Sequence, residues 1–346
     1  MTEYLAFIGI ILLRIMIIFG FLMLNAAYLT WIERKIIGHI QGRMGPMITG
    51  WHGLLQPVAD GIKLFFKEDI IPEHADKPVF LVSPIIPLVA VLTAFVVIPL
   101  PFPYELIHLS SPWMPEFALS DLNIGILYLL ALSSVGSFGL ILGGWASNSK
   151  YSQLGGLRAS AQLISYEISL GLSLVGVMLL AGSANLVDIV KAQTEFTLFD
   201  FFHPGYIIVQ PLAFIIFALS AIAETNRTPF DMPEAEAELV AGFMTEYSSF
   251  RFALFFMAEY MWIVMLSALG VICFLGGWHG ILPTFVPPAL NFFMKMYFSI
   301  FVFIWLRATL PRVRYDQLMA LGWKVLIPLS LVNIVITALI KAALRT

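Results

Sequence analysis

The sequence predicts an all-α polytopic membrane protein: about eight transmembrane helices and one amphipathic helix lying along the cytoplasmic surface. Three observations predict it. Of the 346 residues, 60% are hydrophobic and only 12% charged, against roughly 45–50% and 25% in soluble domains. Mean hydropathy is +0.90. The apolar residues also gather into blocks long enough, at about 1.5 Å per helical residue, to cross ~30 Å of hydrocarbon.

Those blocks run over residues 4–31, 80–100, 121–146, 160–181, 206–223, 251–276, 290–308 and 324–340, within one membrane domain covering 1–346. The start, Met1-Thr2-Glu3-Tyr4, lacks the basic segment that opens a secretory signal, so the first block reads as a retained span. Pro99, Pro101 and Pro103 stop the second helix and extend the chain after it. Residues 50–68 differ from the spans. Leu54, Leu55, Val58, Ile62, Phe65 and Phe66 form one face, and Asp60, Lys63 and Lys67 recur on another. A helix so short and so charged lies on the membrane surface or roofs a cavity. An acidic cytoplasmic loop at 224–250 completes the elements, and no internal repeat is evident.

Lys and Arg fix the orientation. Arg34, Lys35, Arg43, Lys63, Lys67 and Lys77 crowd the first inter-span segment, Lys150 and Arg158 the third, Arg227 the fifth, and Arg312 and Arg314 the seventh. The even-numbered segments hold only Lys191. The positive-inside rule puts the odd segments in the cytoplasm and both termini on the periplasmic side. A net charge of −3 argues against nucleic acid as a partner. Cys273 is the sole cysteine, which excludes an internal disulfide and a four-thiolate iron–sulfur cluster.

Function is expected where charge meets the apolar layer. Arg14, Glu167, Glu259 and Lys295 fall inside spans, and Glu224 ends the fifth. Lys295, near a helix end, is expected to snorkel, because a long amine reaches the interface easily. Short carboxylates such as Glu167 and Glu259 cannot reach as far, so they point to a polar cavity of the kind that carries ions or protons. Arg14 is a candidate partner for one of them. In the loop, Asp231, Glu234, Glu236, Glu238 and Glu246 follow Glu224. A helix starting at Pro233, with Asp231 as its cap, would account for two of these acids and not six. Acids crowded in poor solvent raise one another's pKa, as groups exchanging protons near neutrality require. Around 31–46, Arg34 and Arg43 read either as topology-setting charges or as guanidinium donors to a partner or a polar head group.

Three blocks, taken together, match a known family. They are Glu33-Arg34-Lys35 through Gln41, Arg43 and Gly45-Pro46; Gly53-Leu-Leu-Gln56-Pro-Val-Ala-Asp60-Gly-Ile-Lys63 through Lys67-Glu68; and Glu224-Thr-Asn-Arg227-Thr-Pro-Phe-Asp231 through Glu246-Tyr247. Gly144-Trp-Ala-Ser-Asn-Ser149, Ile164-Ser-Tyr-Glu167, Phe255-Phe-Met-Ala-Glu259-Tyr260 and Arg312-Val-Arg-Tyr-Asp-Gln-Leu-Met319 add to it. The chain resembles the H subunit of the proton-pumping NADH:quinone oxidoreductases, respiratory complex I, from the first loop to the last helix.

The resemblance implies a subunit at the junction of the peripheral and membrane arms of an enzyme complex in a bacterial inner membrane. Its partners would be the peripheral quinone-site and iron–sulfur subunits, the adjacent small membrane-arm subunits, the antiporter-like subunits and lipid. Quinone, ubiquinone in the expected case, would be the bound substrate, with no iron–sulfur cluster, flavin or metal in this chain. It further implies that Glu33, Arg34, Gln41, Arg43, Trp51, Asp60, Lys63 and Arg227 adjoin the quinone access path. Glu167, Glu224, Asp231, Glu234, Glu236, Glu238, Glu246 and Glu259 would form an acidic relay coupling quinone reduction to proton translocation. Two alternatives stay open: the corresponding subunit of a membrane-bound hydrogenase or formate-linked complex, and a stand-alone secondary transporter. The transporter would carry its acids at the midplane between inverted repeats.

Overall fold

The computed structural model describes residues 2–101, 118–194, 205–234, 236–279 and 286–345. Among these residues the elements are α-helices α1 (Thr2–Ile40), α2 (Gln56–Phe66), α3 (Lys77–Val82), α4 (Ile85–Ala94), α5 (Gly125–Ala146), α6 (Lys150–Ala181) and α7 (Leu186–Thr194). They continue with α8 (Tyr206–Val209), α9 (Pro211–Glu224), α10 (Glu236–Leu239), α11 (Ser249–Phe274), α12 (Pro288–Thr309), α13 (Tyr315–Ala320) and α14 (Ile327–Arg345). A π-helical turn, Leu321–Leu326, joins the last two. Seven helical stretches among the described residues are long and apolar enough to cross a membrane, and α9 is a shorter apolar helix. The protein is an all-α polytopic membrane protein.

α11 is the centre of the bundle, its Val264–Phe274 segment almost wholly buried. Around it α1, α4, α5, α6, α9 and α12 contribute Leu22, Val91, Leu129, Leu174, Phe217 and Phe292, each 4% exposed or less. The outer faces stay apolar because lipid, not water, covers them: Phe298 and Leu339 are each 65% exposed.

Three elements depart from the simplest reading of the sequence. α1 continues to Ile40, well past the apolar block ending at Trp31, since no proline follows before Pro46 and the first glycine to leave helical φ is Gly42. Glu33 and Arg34 therefore stand on a helix projecting beyond the hydrocarbon. The 206–223 block is not one helix. Pro211 has no N–H and pushes the preceding residue out of the α region, so Gln210 (φ −131°, ψ 59°) divides it into α8 and α9. α9 alone, at 14 residues, is roughly 21 Å long. Finally, no helix starts at Pro233. α10 spans only 236–239, ended by Val240 at φ 65°, and Asp231 is engaged elsewhere.

Candidate functional site

The loop that follows α9 is held from two sides. Gln162 of α6, fully buried, donates to the carbonyls of Ala223 (2.7 Å) and Phe230 (2.8 Å) and to Asn226 Oδ1 (3.3 Å). Thr228 donates to the carbonyl of Arg307, and the Val313 N–H to that of Pro229. Asn226 takes the left-handed conformation at φ 51°, one that Asn tolerates better than most residues. The effect is to aim Glu224, Arg227 and Asp231 into the bundle instead of into water.

A chain of charges runs inward from the projecting end of α1. Glu33, 5% exposed, pairs with Arg307 of α12 and accepts a hydrogen bond from Tyr260 of α11 at 2.5 Å. The Arg227 guanidinium lies over the Tyr260 ring, 4.7 Å from its centroid, and reaches Glu259 at 3.0 Å. Burial works against the charge on Arg227, but Glu259, then Tyr260, Glu234 and Asp231, hold it above its ordinary pKa. Asp231 pairs with Arg312 at 2.8 Å. Burial first and Glu234 second push its carboxyl up to about 7, with Arg312 pulling the other way. Glu234 also acts on Glu259, so the loop acids and the helix acid form one electrostatic group.

Beyond Arg227 lies a cavity between α5, α6, α9 and α11. Glu167, Glu224 and Glu259 line it, together with Ser133, Asn226 and Trp262. Its water-accessible space is about 40 Å³. A water needs ~10–15 Å³ of such space, whereas organic ligands occupy pockets of roughly 300–1,000 Å³. The cavity suits a few waters and is too small for a quinone ring. Two adjacent serines of α5 serve its carboxylates: Ser133 donates to Glu224 and Ser134 to Glu167. Glu224 Oε2 is buried without a hydrogen-bond partner.

The surface around α2 is built differently. Arg34 pairs with Asp60 of α2 at 2.6 Å, and Asp60 also accepts from Gln56 at 3.1 Å, so α2 is tied across α1. Arg43 donates to Gln41 at 2.7 Å. Gly53 (φ 78°) permits the close turn beneath, where an added Cβ would lie 2.3 Å from the Pro46 carbonyl oxygen. An open cavity of about 860 Å³ lies against Arg34, Arg43, Met44, Met47, Thr49 and Gln56. Trp51 is 78% exposed, and Lys63 is also exposed. Val58, Ile62 and Phe65 present an uncovered apolar face.

The structure thus brings Glu167, Glu224 and Glu259 to one cavity, and Arg227, Asp231 and Glu234 against it. Glu33 joins them through Tyr260. Glu238 does not join: it is exposed and pairs with Arg158 at 2.5 Å. Glu246 is half-buried before α11 and outside the cavity lining, and the Glu236 side chain lies outside the described residues. Lys295 does not snorkel. It is 8% exposed, its ammonium donating to the carbonyls of Leu275 (2.7 Å), Gly277 (2.9 Å) and His279 beyond the end of α11. Arg14 is 1% exposed. Sequence reasoning placed none of Tyr260, Arg307, Arg312, Ser133 and Ser134 among the site residues. The only signal for the serines was a hydroxyl cluster, Ser133-Ser134 with Ser137, inside an apolar block.

Fold and site define a class: a multi-pass helical membrane protein with a chain of charged contacts running from Glu33 to buried carboxylates. The chain belongs to the family of NADH-quinone oxidoreductase H subunits. The family model described as NADH dehydrogenase matches residues 13–338. The NADH-quinone oxidoreductase H subunit numbered 2 in Geobacter metallireducens is 52% identical over 347 residues, 98% of this chain and 96% of that protein. The H subunit numbered 2 in Rhizobium meliloti is 47% identical over 98% of this chain and 99% of its own length, and the H subunit of Thermomicrobium roseum 50% over 93% and 94%. The chain is a membrane subunit of an NADH:quinone oxidoreductase complex and assembles with the other subunits of that complex.

Proposed function

We propose that this protein forms one wall of the quinone-binding chamber and passes the electrostatic consequence of quinone reduction to a proton relay in the membrane. The observation that carries the reading is the unbroken sequence of contacts from Glu33 through Tyr260 and Arg227 to Glu259, ending at the cavity shared with Glu224 and Glu167. The open cavity at Arg34 and Arg43 has the volume for a quinone head group, and a peripheral-arm subunit would close it. Partner subunits deliver the electrons through their iron–sulfur clusters. Charge arriving on quinone near Glu33 disturbs the Glu33–Arg307 and Arg227–Glu259 pairs, because opposite charges in low dielectric are strongly coupled. Glu259, Glu224 and Glu167 then exchange protons through cavity water, with Ser133 and Ser134 orienting the two outer carboxylates. Asp231 and Glu234, which act electrostatically on Glu259, belong to the cytoplasmic mouth of this relay. The odd-numbered loops face the cytoplasm and both termini the periplasm, on the Lys and Arg distribution.

The test is Glu224→Gln and Glu167→Gln in the assembled complex reconstituted into liposomes, with NADH:quinone turnover and proton uptake measured together. Proton translocation should fall sharply, since each amide keeps shape and loses the exchangeable proton. Translocation at full strength in both variants would sink the relay. Arg43→Ala probes the chamber: apparent quinone KM should rise or the peripheral arm dock more weakly, and unchanged kinetics and assembly would exclude that role.

A further inference from the structure

α6 has a second polar face that the carboxylate relay does not use. Glu167 faces Ser134 of α5. Ser165, Ser169, Ser173 and Gly176, spaced four, four and three residues apart, run along another side, and the three serines are at most 1% exposed. Ser165 accepts from Trp323 at 2.9 Å, and Ser169 shares a hydrogen bond with Ser220 of α9 at 2.6 Å. α14 meets this face with polar residues. Its buried residues, Ser330, Asn333 and Thr337, are all polar, while Leu331, Val335 and Leu339 are 50–65% exposed toward lipid. Polar and small residues between membrane helices can simply permit close packing, so the seam alone identifies nothing.

The break between α8 and α9 adds an independent observation. Gln210, 3% exposed, donates through Nε2 to the Gly176 carbonyl (3.1 Å) and to Thr337 Oγ1 (3.0 Å), and Thr337 donates on to the Asn333 carbonyl (2.7 Å). Gln210 Oε1 and Asn333 Nδ2 are buried with no partner at all. Both lie beside Gly176, where an added Cβ would be 2.8 Å from the first and 3.2 Å from the second. An acceptor and a donor left open side by side at a glycine describe a site for a ligand that both donates and accepts. Water is the smallest such ligand, and buried waters are characteristically held by polar groups otherwise unsatisfied.

We propose that the α8–α9 break binds a water molecule between Gln210 Oε1 and Asn333 Nδ2. The site is separate from the carboxylate cavity, whose lining includes neither Gln210 nor Asn333. This assignment stands independently of the relay reading. A density map of the whole wild-type complex that resolves waters tests it directly: density should lie within hydrogen-bond distance of both atoms. Asn333→Leu, similar in size and without the donor, should lose that density while the break at Gln210 persists, and Glu167→Gln should keep it. A wild-type map with the place empty, or with the Gln210 amide turned to bond Asn333 directly, would overturn the proposal. So would density that stays unchanged in Asn333→Leu.

Discussion

The surface cavity at α2 and the buried carboxylate cluster use the same residue types in opposite surroundings. Arg34 and Asp60 are 53% and 26% exposed beside an open cavity of about 860 Å³. Arg227 and Glu259 are 6% and 7% exposed beside one of about 40 Å³. Water screens the first pair, so either member can be lost cheaply. The second pair is shut off from water, and Arg227 is the cation that Glu259 contacts. The buried cluster carries its own counter-charges, whereas the surface cavity is open and α2 beside it leaves Val58, Ile62 and Phe65 exposed.

The largest effect should therefore come from Arg227→Ala. Removing one partner of a buried ion pair typically costs about 3–5 kcal/mol, because the other charge stays behind. Here Glu259 would face Glu234 and Asp231 with no cation between them. The expected result is little or none of this chain in the purified complex, read by its abundance relative to a peripheral subunit. Normal assembly with normal activity would mean that the pair is not essential and that the two regions differ less than their burial suggests.

A pH experiment separates the regions next. Asp231 is held at about 7, against an ordinary 3.8. Between those values the folded protein keeps a proton that an unfolded chain gives up. Asp231 therefore adds stability as pH falls through 7 and withdraws it as pH rises. The wild-type complex should gain resistance to thermal inactivation between pH 8 and pH 6, and Asp231→Asn should show a shallower gain. Identical slopes would move the titration to another group.

Tyr260→Phe should act more gently. It deletes the 2.5 Å bond to Glu33, a loss of roughly 1.5–3 kcal/mol for a hydrogen bond to a charged group, but leaves the Arg307 pair and the ring beneath Arg227. Assembly should survive. Coupling between the regions should weaken, seen as fewer protons translocated per NADH oxidised at nearly normal turnover. An unchanged ratio would remove Tyr260 from the connection.

Much of this was legible in the sequence, for reasons that also explain what was not. Apolar block length fixed the fold class because the bilayer leaves the backbone few alternatives. Glu167, Glu224 and Glu259 stood out because short carboxylates are costly at that depth. Pairings across helices were not legible. Arg307 reads as a helix-end cation and Tyr260 as an interfacial aromatic until α1 is seen to project far enough to place Glu33 against both. The α8–α9 break was signalled by Pro211, yet hydropathy averages over a single proline. Lys295 misled because snorkelling describes an isolated helix, and this lysine finds three carbonyls beyond the end of α11 nearer than the interface.

The smallest effect on stability, and the sharpest use of the comparison, belongs to Arg34→Ala. Exposed ion pairs contribute about 0–1 kcal/mol, and Gln56 would still hold Asp60, so thermal inactivation of the complex should be nearly unchanged. Quinone kinetics should not be, if the open cavity is a chamber wall: a guanidinium at its rim is lost, and the tie that sets α2 across α1 with it. Arg34→Lys keeps the charge without the planar fork and should recover part of any loss. A rise in apparent KM at constant stability would separate a binding role from a structural one. If stability falls and KM stays constant, the Arg34–Asp60 pair is a clasp, and the chamber must draw its polar contacts from Arg43 and the peripheral partner.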